Sequence, residues 1–111
     1  RVVADQHGAP THVADLARAL WALAAADARG VVHATAAGVA TWYDVARAVY
    51  AAAGADPALV TPCPSTDYPT PAVRPAWGVL DGRRLREAFG VAMPAWEGPL
   101  AAFVRREVGA D

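Results

Sequence analysis

Residues 31–54, Val31-Val32-His33-Ala34-Thr35-Ala36-Ala37-Gly38-Val39-Ala40-Thr41-Trp42-Tyr43-Asp44-Val45-Ala46-Arg47-Ala48-Val49-Tyr50-Ala51-Ala52-Ala53-Gly54, contain the change of period that decides the fold class. The stretch Val31–Thr35 is short and β-branched, the composition of a strand, and Gly38 breaks it. Thr41 stands three residues before Asp44, a capping box with Asp in place of the usual Glu or Gln. Behind it Trp42, Val45, Ala46, Val49, Tyr50 and Ala53 repeat at the spacing of one helical face, and Gly54 closes the run. A strand feeding an amphipathic helix reads as α/β.

Towards the N-terminus, Arg1-Val2-Val3-Ala4 is strand-like and Asp5-Gln6-His7-Gly8-Ala9-Pro10 is a loop punctuated by Gly8 and Pro10. Thr11 is the expected N-cap of a helix carrying Val13, Leu16, Ala17, Leu20 and Ala24 on one face, with Asp15 in its first turn. That helix is expected to end near Asp27 to Arg29, with Gly30 as its stop. Towards the C-terminus, Leu59-Val60-Thr61 reads as a short strand. Prolines at 62, 64, 69, 71 and 75 then exclude a helix and argue against a central strand, leaving a stiff extended loop. Asp81 is the expected N-cap of a short helix with Leu85, Ala88 and Phe89, ending at Gly90. A last helix from about Ala95 places Trp96, Leu100, Phe103, Val104 and Val108 on one face. The expected order is β-α-β-α-β-loop-α-α, one small mixed α/β domain over residues 1–111. An opening in mid-strand without an initiator Met reads as a fragment of a longer chain.

Composition narrows the function classes. The 111 residues suit one domain with one core, and 29 of them are alanine, so the larger apolar side chains support only a modest core. A net charge of −1 supplies no field for nucleic acid or an anionic membrane surface. No apolar run approaches the roughly 18–20 residues a bilayer span needs, and nothing resembles a signal peptide. Cys63 is the only cysteine, which excludes an intramolecular disulfide and points to a reducing, cytoplasmic setting. Between Pro62 and Pro64, with no histidine near in sequence, it reads as small core filler. All ten basic residues are arginine. Without lysine there is no Schiff base, no P-loop lysine and no Tyr-x-x-x-Lys pair within these residues.

No catalytic constellation emerges. Asp15, Asp44 and Asp81 stand where helix caps and first turns want them, whereas Asp5 and Asp67 lie in loops. His7, His12 and His33 lack metal-ligand spacing, so no metal site is expected. What remains is loop chemistry for holding a ligand. The stretch Asp5–Thr11 sets amide, imidazole and hydroxyl groups in a pinned loop ending at a helix N-terminus. Thr41-Trp42-Tyr43 puts two aromatics at a helix start, one free to pack inward while the other faces a pocket. In Tyr68-Pro69-Thr70-Pro71-Ala72-Val73-Arg74-Pro75 an arginine is held between rigid residues, so it loses little entropy on gripping a phosphate.

These segments occur in a particular order: Val-x-Asp-Gln-x-Gly-x-Pro-Thr at Val3–Thr11, then Asp15-Leu16-Ala17, Gly30, His33, and Gly38 through Thr41-Trp42-Tyr43. Tyr68-Pro69-Thr70-Pro71-Ala72 follows, then Arg74-Pro75, Leu80-Asp81, and Pro94-x-Trp96 with Leu100. The set resembles the C-terminal, substrate-binding half of dTDP-4-dehydrorhamnose reductases, extended short-chain dehydrogenase/reductases of sugar-nucleotide metabolism, and covers essentially the whole chain. The resemblance implies reduction of the 4-keto group of dTDP-6-deoxy-L-lyxo-4-hexulose to dTDP-L-rhamnose. It implies NADPH or NADH as cofactor, bound by an N-terminal Rossmann domain that carries the catalytic residues and is missing here. It further implies a dTDP-sugar contacted by Gln6 and Thr11, a loop shaped by Gly8 and Pro10, and Trp42 and Arg74 for base, sugar or phosphate.

Two departures stand out. Gly78 occupies a position where the family often has Ser. The helix after Thr11 contains no Glu, so the glutamate-held Mg²⁺ described for some dimeric members is not carried over. A homo-oligomer stays open. A severed half would leave Trp21 or Leu23 of that helix under-buried. The competing readings are a non-catalytic regulatory subunit of the same fold, like the methionine adenosyltransferase β-subunit, and a stand-alone binding module.

Overall fold

The computed structural model describes residues 1–109. Short strands and four helices alternate: β1 Val2–Val3, β2 His7–Gly8, α1 Val13–Ala25, β3 Ala40–Thr41, α2 Trp42–Ala52, β4 Pro62–Cys63, α3 Arg83–Phe89 and α4 Glu97–Val108. Single 3-10 turns at Pro57–Leu59 and Ser65–Asp67 flank β4. The mixed α/β character agrees with the sequence reading. The order differs from it, because the sheet is assembled differently.

β1 pairs with β4 in parallel, Val2 opposite Pro62 and Val3 opposite Cys63. The strand expected at Leu59–Thr61 therefore lies further on, inside the proline-rich stretch, while Pro57–Leu59 turns as a 3-10 helix capped by Asp56. Pro62 is tolerated because the ladder does not need its nitrogen. Val2 and Ala4 donate to the carbonyls of Thr61 and Cys63, at 2.9 and 3.0 Å. Cys63 is buried behind this pair, as small core filler should be. The loop expected over residues 5–10 contains β2, which pairs antiparallel with β3, His7 opposite Thr41 and Gly8 opposite Ala40.

The helices follow the sequence more closely. α2 begins with the capping box: the Asp44 amide donates to Thr41 Oγ1 at 3.1 Å, and the Thr41 amide donates to Asp44 Oδ2 at 2.8 Å. α1 starts later than expected, with His12 as its N-cap and no side-chain cap bond. Thr11 instead uses its hydroxyl across the fold, donating to Ala9 O and accepting from the Ala36 amide, both at 3.0 Å. The same helix stops at Ala25, ahead of the expected Asp27. Asp81 sits one residue before the N-cap position of α3, which Gly82 holds, but its carboxylate still accepts from the Arg83 amide at 2.9 Å.

Val31–Thr35 forms no strand. Its neighbours are bonded elsewhere: the Arg84 guanidinium donates to the carbonyls of Val31 and Arg29 at 2.6 and 2.8 Å. The Ala36 amide goes to Thr11, and the Ala37 amide to Pro94 O at 2.9 Å. An extended run becomes a strand only when another one pairs with it, and among the described residues none pairs with this one.

The core is small. Ala36, Ala40 and Trp96 are its buried centre, with Val45, Ala48 and Leu100 packed around it, so that α2 and α4 meet over the β3 junction. Of the face expected on the last helix, Trp96 and Val104 are buried while Phe103 and Val108 are exposed. This packing fixes the start of α2, and with it Trp42, against β2.

Candidate functional site

The cleft beside β1, β2 and the start of α2 has a volume of about 760 Å³, within the range that holds a drug-sized ligand. Its walls come from three stretches far apart in sequence. The Asp-Gln loop supplies Gln6, His7, Gly8, Ala9 and Pro10. The β3–α2 junction supplies Ala40, Thr41, Trp42 and Val45. The proline-rich segment supplies Tyr68, Thr70, Arg74, Pro75 and Gly78, and β1 contributes Arg1, Val2 and Val3.

Five of the six residues singled out in the sequence, Gln6, Gly8, Pro10, Trp42 and Arg74, share this cleft. Thr11 does not line it; its two hydrogen bonds join the end of the loop to Ala36 and give it a structural role. Trp42 is exposed at the cleft, while Tyr43 is half-buried with the Arg47 guanidinium 5.6 Å above its ring. Trp42 therefore faces the cleft as expected, whereas Tyr43 is only partly covered and packs with Arg47 rather than in the core. The cleft also takes His7, whose imidazole belongs to the ligand-holding loop over residues 5–11, and Arg1, Tyr68 and Thr70, which nothing in the sequence singles out by themselves. Tyr68 and Thr70 lie in the same proline-bounded segment as Arg74, which was the only signal available for them.

The proline-rich wall is tied down at several points. The His7 amide donates to Ala76 O at 2.9 Å, and the Gly78 amide donates to His7 O at 2.8 Å. The rings of His7 and Trp77 lie 5.5 Å apart at a tilt of 33°. At the other end of the segment Asp67 pairs with Arg1, and Ser65 bonds both Asp5 and Gln6. The hydrogen bonds from the Ser65 hydroxyl and amide hold the Asp5 carboxyl below its ordinary value, so it stays ionised. Two arginines thus reach one cleft with different duties. Arg1 is engaged by Asp67, whereas Arg74 has no carboxylate partner among the described residues.

Among the described residues no group of three or more His, Cys, Asp or Glu side chains could hold a metal ion. No described helix is long and apolar enough to cross a membrane. The arrangement suits binding: an apolar floor with an aromatic face, amide and hydroxyl groups, and one uncommitted guanidinium.

Comparison with known proteins gives the same direction. A family model described as "RmlD substrate binding domain" matches residues 1–108. A dTDP-4-dehydrorhamnose reductase of Mycolicibacterium smegmatis is 43% identical over 110 residues, covering 98% of this chain and 34% of that protein. A crystal structure of a dTDP-4-dehydrorhamnose reductase from Clostridium acetobutylicum superimposes with a TM-score of 0.85 at 34% identity, over 93% of this chain and 36% of that one. A second, from Bacillus anthracis in complex with NADP, gives 0.82 at 31% identity, over 92% and 36%. The chain spans about a third of the length of the curated relatives it matches.

Proposed function

This chain belongs to the RmlD substrate binding domain family, and from that premise we propose that it is the substrate-binding part of a dTDP-4-dehydrorhamnose reductase. The complete enzyme reduces the 4-keto group of dTDP-6-deoxy-L-lyxo-4-hexulose to dTDP-L-rhamnose. The observation that carries the reading is the convergence of Gln6, Trp42 and Arg74 on one cleft from three separate segments.

The residues of the cleft divide the ligand by chemistry. Arg74, without a carboxylate partner among the described residues and stiffened by the neighbouring prolines, takes the pyrophosphate through a charge-assisted pair. Trp42 offers an exposed aromatic face for the base or sugar ring. Gln6 addresses polar groups of the ligand, and Gly8 and Pro10 shape the loop so that the backbone can approach. Thr11 drops out of this set.

The features that bind a dinucleotide are not among these residues. There is no lysine, no Gly-rich dinucleotide loop, and β1 runs directly into the Asp-Gln loop without a following phosphate-binding helix turn. NADPH or NADH and the catalytic residues then belong to the remainder of the enzyme, and the segment alone is expected to be inactive.

The test is turnover by the complete polypeptide with dTDP-6-deoxy-L-lyxo-4-hexulose and NADPH, followed by cofactor absorbance, together with dTDP binding by calorimetry. Consumption only with that substrate is expected. Arg74→Ala is expected to weaken dTDP binding by about 10- to 100-fold, as loss of a charged hydrogen bond does. A well-folded polypeptide that binds no dTDP-sugar would favour a non-catalytic member of the fold.

A further inference from the structure

Behind Gln6 runs a chain of hydrogen bonds whose direction follows from proton counting. The Ser65 amide donates to Asp5 Oδ2 at 2.9 Å and to Oδ1 at 3.1 Å, and the Ser65 hydroxyl lies 2.5 Å from Oδ1. An ionised carboxylate has no proton to give, so the single hydroxyl hydrogen of Ser65 goes to Asp5. The Ser65 oxygen can then only accept from Gln6. The amide atom 2.9 Å from it must be Nε2, because a carbonyl oxygen there would face lone pairs with lone pairs. This settles which way the Gln6 amide is turned. Nε2 is held back against Ser65, and Oε1 has no side-chain hydrogen bond among the described residues.

We propose that Asp5 and Ser65 are positioning residues that hold Gln6 as a hydrogen-bond acceptor on the cleft wall, where it reads a hydroxyl of the ligand's sugar. The inference rests on the nucleotide-sugar reading of the cleft and deepens it. The same three residues join two walls, since Asp5 and Gln6 belong to one loop and Ser65 opens the segment that carries Tyr68, Thr70 and Arg74. A glutamine free to rotate would offer donor and acceptor about equally and would discriminate poorly. One locked by a carboxylate through a hydroxyl presents the acceptor without further ordering.

The experiment compares dTDP with dTDP-L-rhamnose binding in the complete polypeptide, for wild type, Ser65→Ala, Ser65→Thr and Asp5→Asn. Ser65→Ala is expected to weaken dTDP-L-rhamnose by about three- to tenfold, the value of one neutral hydrogen bond, while leaving dTDP within about twofold. Ser65→Thr keeps the hydroxyl and is expected to retain wild-type selectivity. Asp5→Asn preserves the shape but can donate to Ser65, which frees the hydroxyl to point at Oε1 and reverses the chain. It is expected to show the same selective loss. In turnover, KM for the sugar nucleotide rises more than kcat falls. Equal weakening of both ligands by Ser65→Ala would mean a collapsed loop and would overturn the positioning role, as would no change in either. A wild type that binds neither ligand sinks the nucleotide-sugar reading itself, and this inference with it.

Discussion

Asp44 shows how much one exposed carboxylate can organise. It accepts from both the amide and the hydroxyl of Thr41, at 2.8 and 2.7 Å, and its own amide donates back to Thr41 Oγ1. Trp42 follows the cap directly, so the cap decides where an exposed indole enters the cleft. Asp44→Ala is expected to lower stability by about 1 kcal/mol in urea unfolding at neutral pH. The Thr41 amide and hydroxyl hold the Asp44 carboxyl below its ordinary value, which fixes the sign of the pH dependence. The contribution is complete above the carboxylate pKa of the unfolded chain and disappears as pH falls through the lower folded value. The gap between wild type and Asp44→Ala is therefore expected to close on acidification; a gap that widened would show that something other than the ionised cap holds α2. This box was legible in the sequence because both partners are local. Ser65 was not, because its meaning depends on Asp5, 60 residues away.

At the scale of elements the same distinction recurs. The capping box of α2 and the Gly90 stop of α3 could be read from spacing and residue type, since a helix makes its own bonds. The face expected on α2 is met only in part: Val45 packs on the core, but Trp42 and Tyr50 are exposed, and Ala48, outside that face, takes a core place. Thr11 had the right chemistry for a cap, yet the Ala36 amide competes for its hydroxyl and wins. Val31–Thr35 had the composition of a strand, but composition does not supply a neighbour. Conversely β2 and β4 form in segments read as loops, because β3 and β1 lie beside them.

Gly38 sits where these elements close on Trp96. Its φ is +90°, and a Cβ placed there would come 3.2 Å from Trp96 Cδ1, so both the backbone and the packing oppose a side chain. Gly38→Ala is expected to destabilise the fold by about 1–3 kcal/mol, with a change in Trp96 fluorescence as the indole shifts. An unchanged unfolding midpoint would show that the junction is looser than this geometry requires.

The whole molecule is flat, 46 × 39 × 21 Å, and its radius of gyration of 16.1 Å exceeds the roughly 13 Å of a compact chain of 100 residues. A slab this thin has little interior, and the apolar side chains that find no place in it show where. Trp21 is 80% exposed, with Leu20 and Val13 also exposed on α1, and Val31 lies exposed beyond the helix end. Leu23, the other residue expected to be under-buried, is half-buried. Large aromatic side chains bury some 150–250 Å² when covered, so leaving Trp21 in water forgoes several kcal/mol. If the chain is one part of a longer reductase, the remainder supplies that cover, and the segment produced alone must find another. Residues 1–111 expressed alone are accordingly expected to bind hydrophobic dyes and to associate with rising concentration in sedimentation velocity. Trp21→Glu should shift the distribution towards monomer, because it removes the largest apolar contact and adds a charge that a self-packed face cannot bury. In the complete polypeptide the same substitution has the opposite character. If the remainder covers this face, the change should lower stability by about 2–4 kcal/mol, because a charge is then buried without a partner. A monodisperse, stable monomer of residues 1–111, indifferent to Trp21→Glu, would mean that this face is ordinary surface.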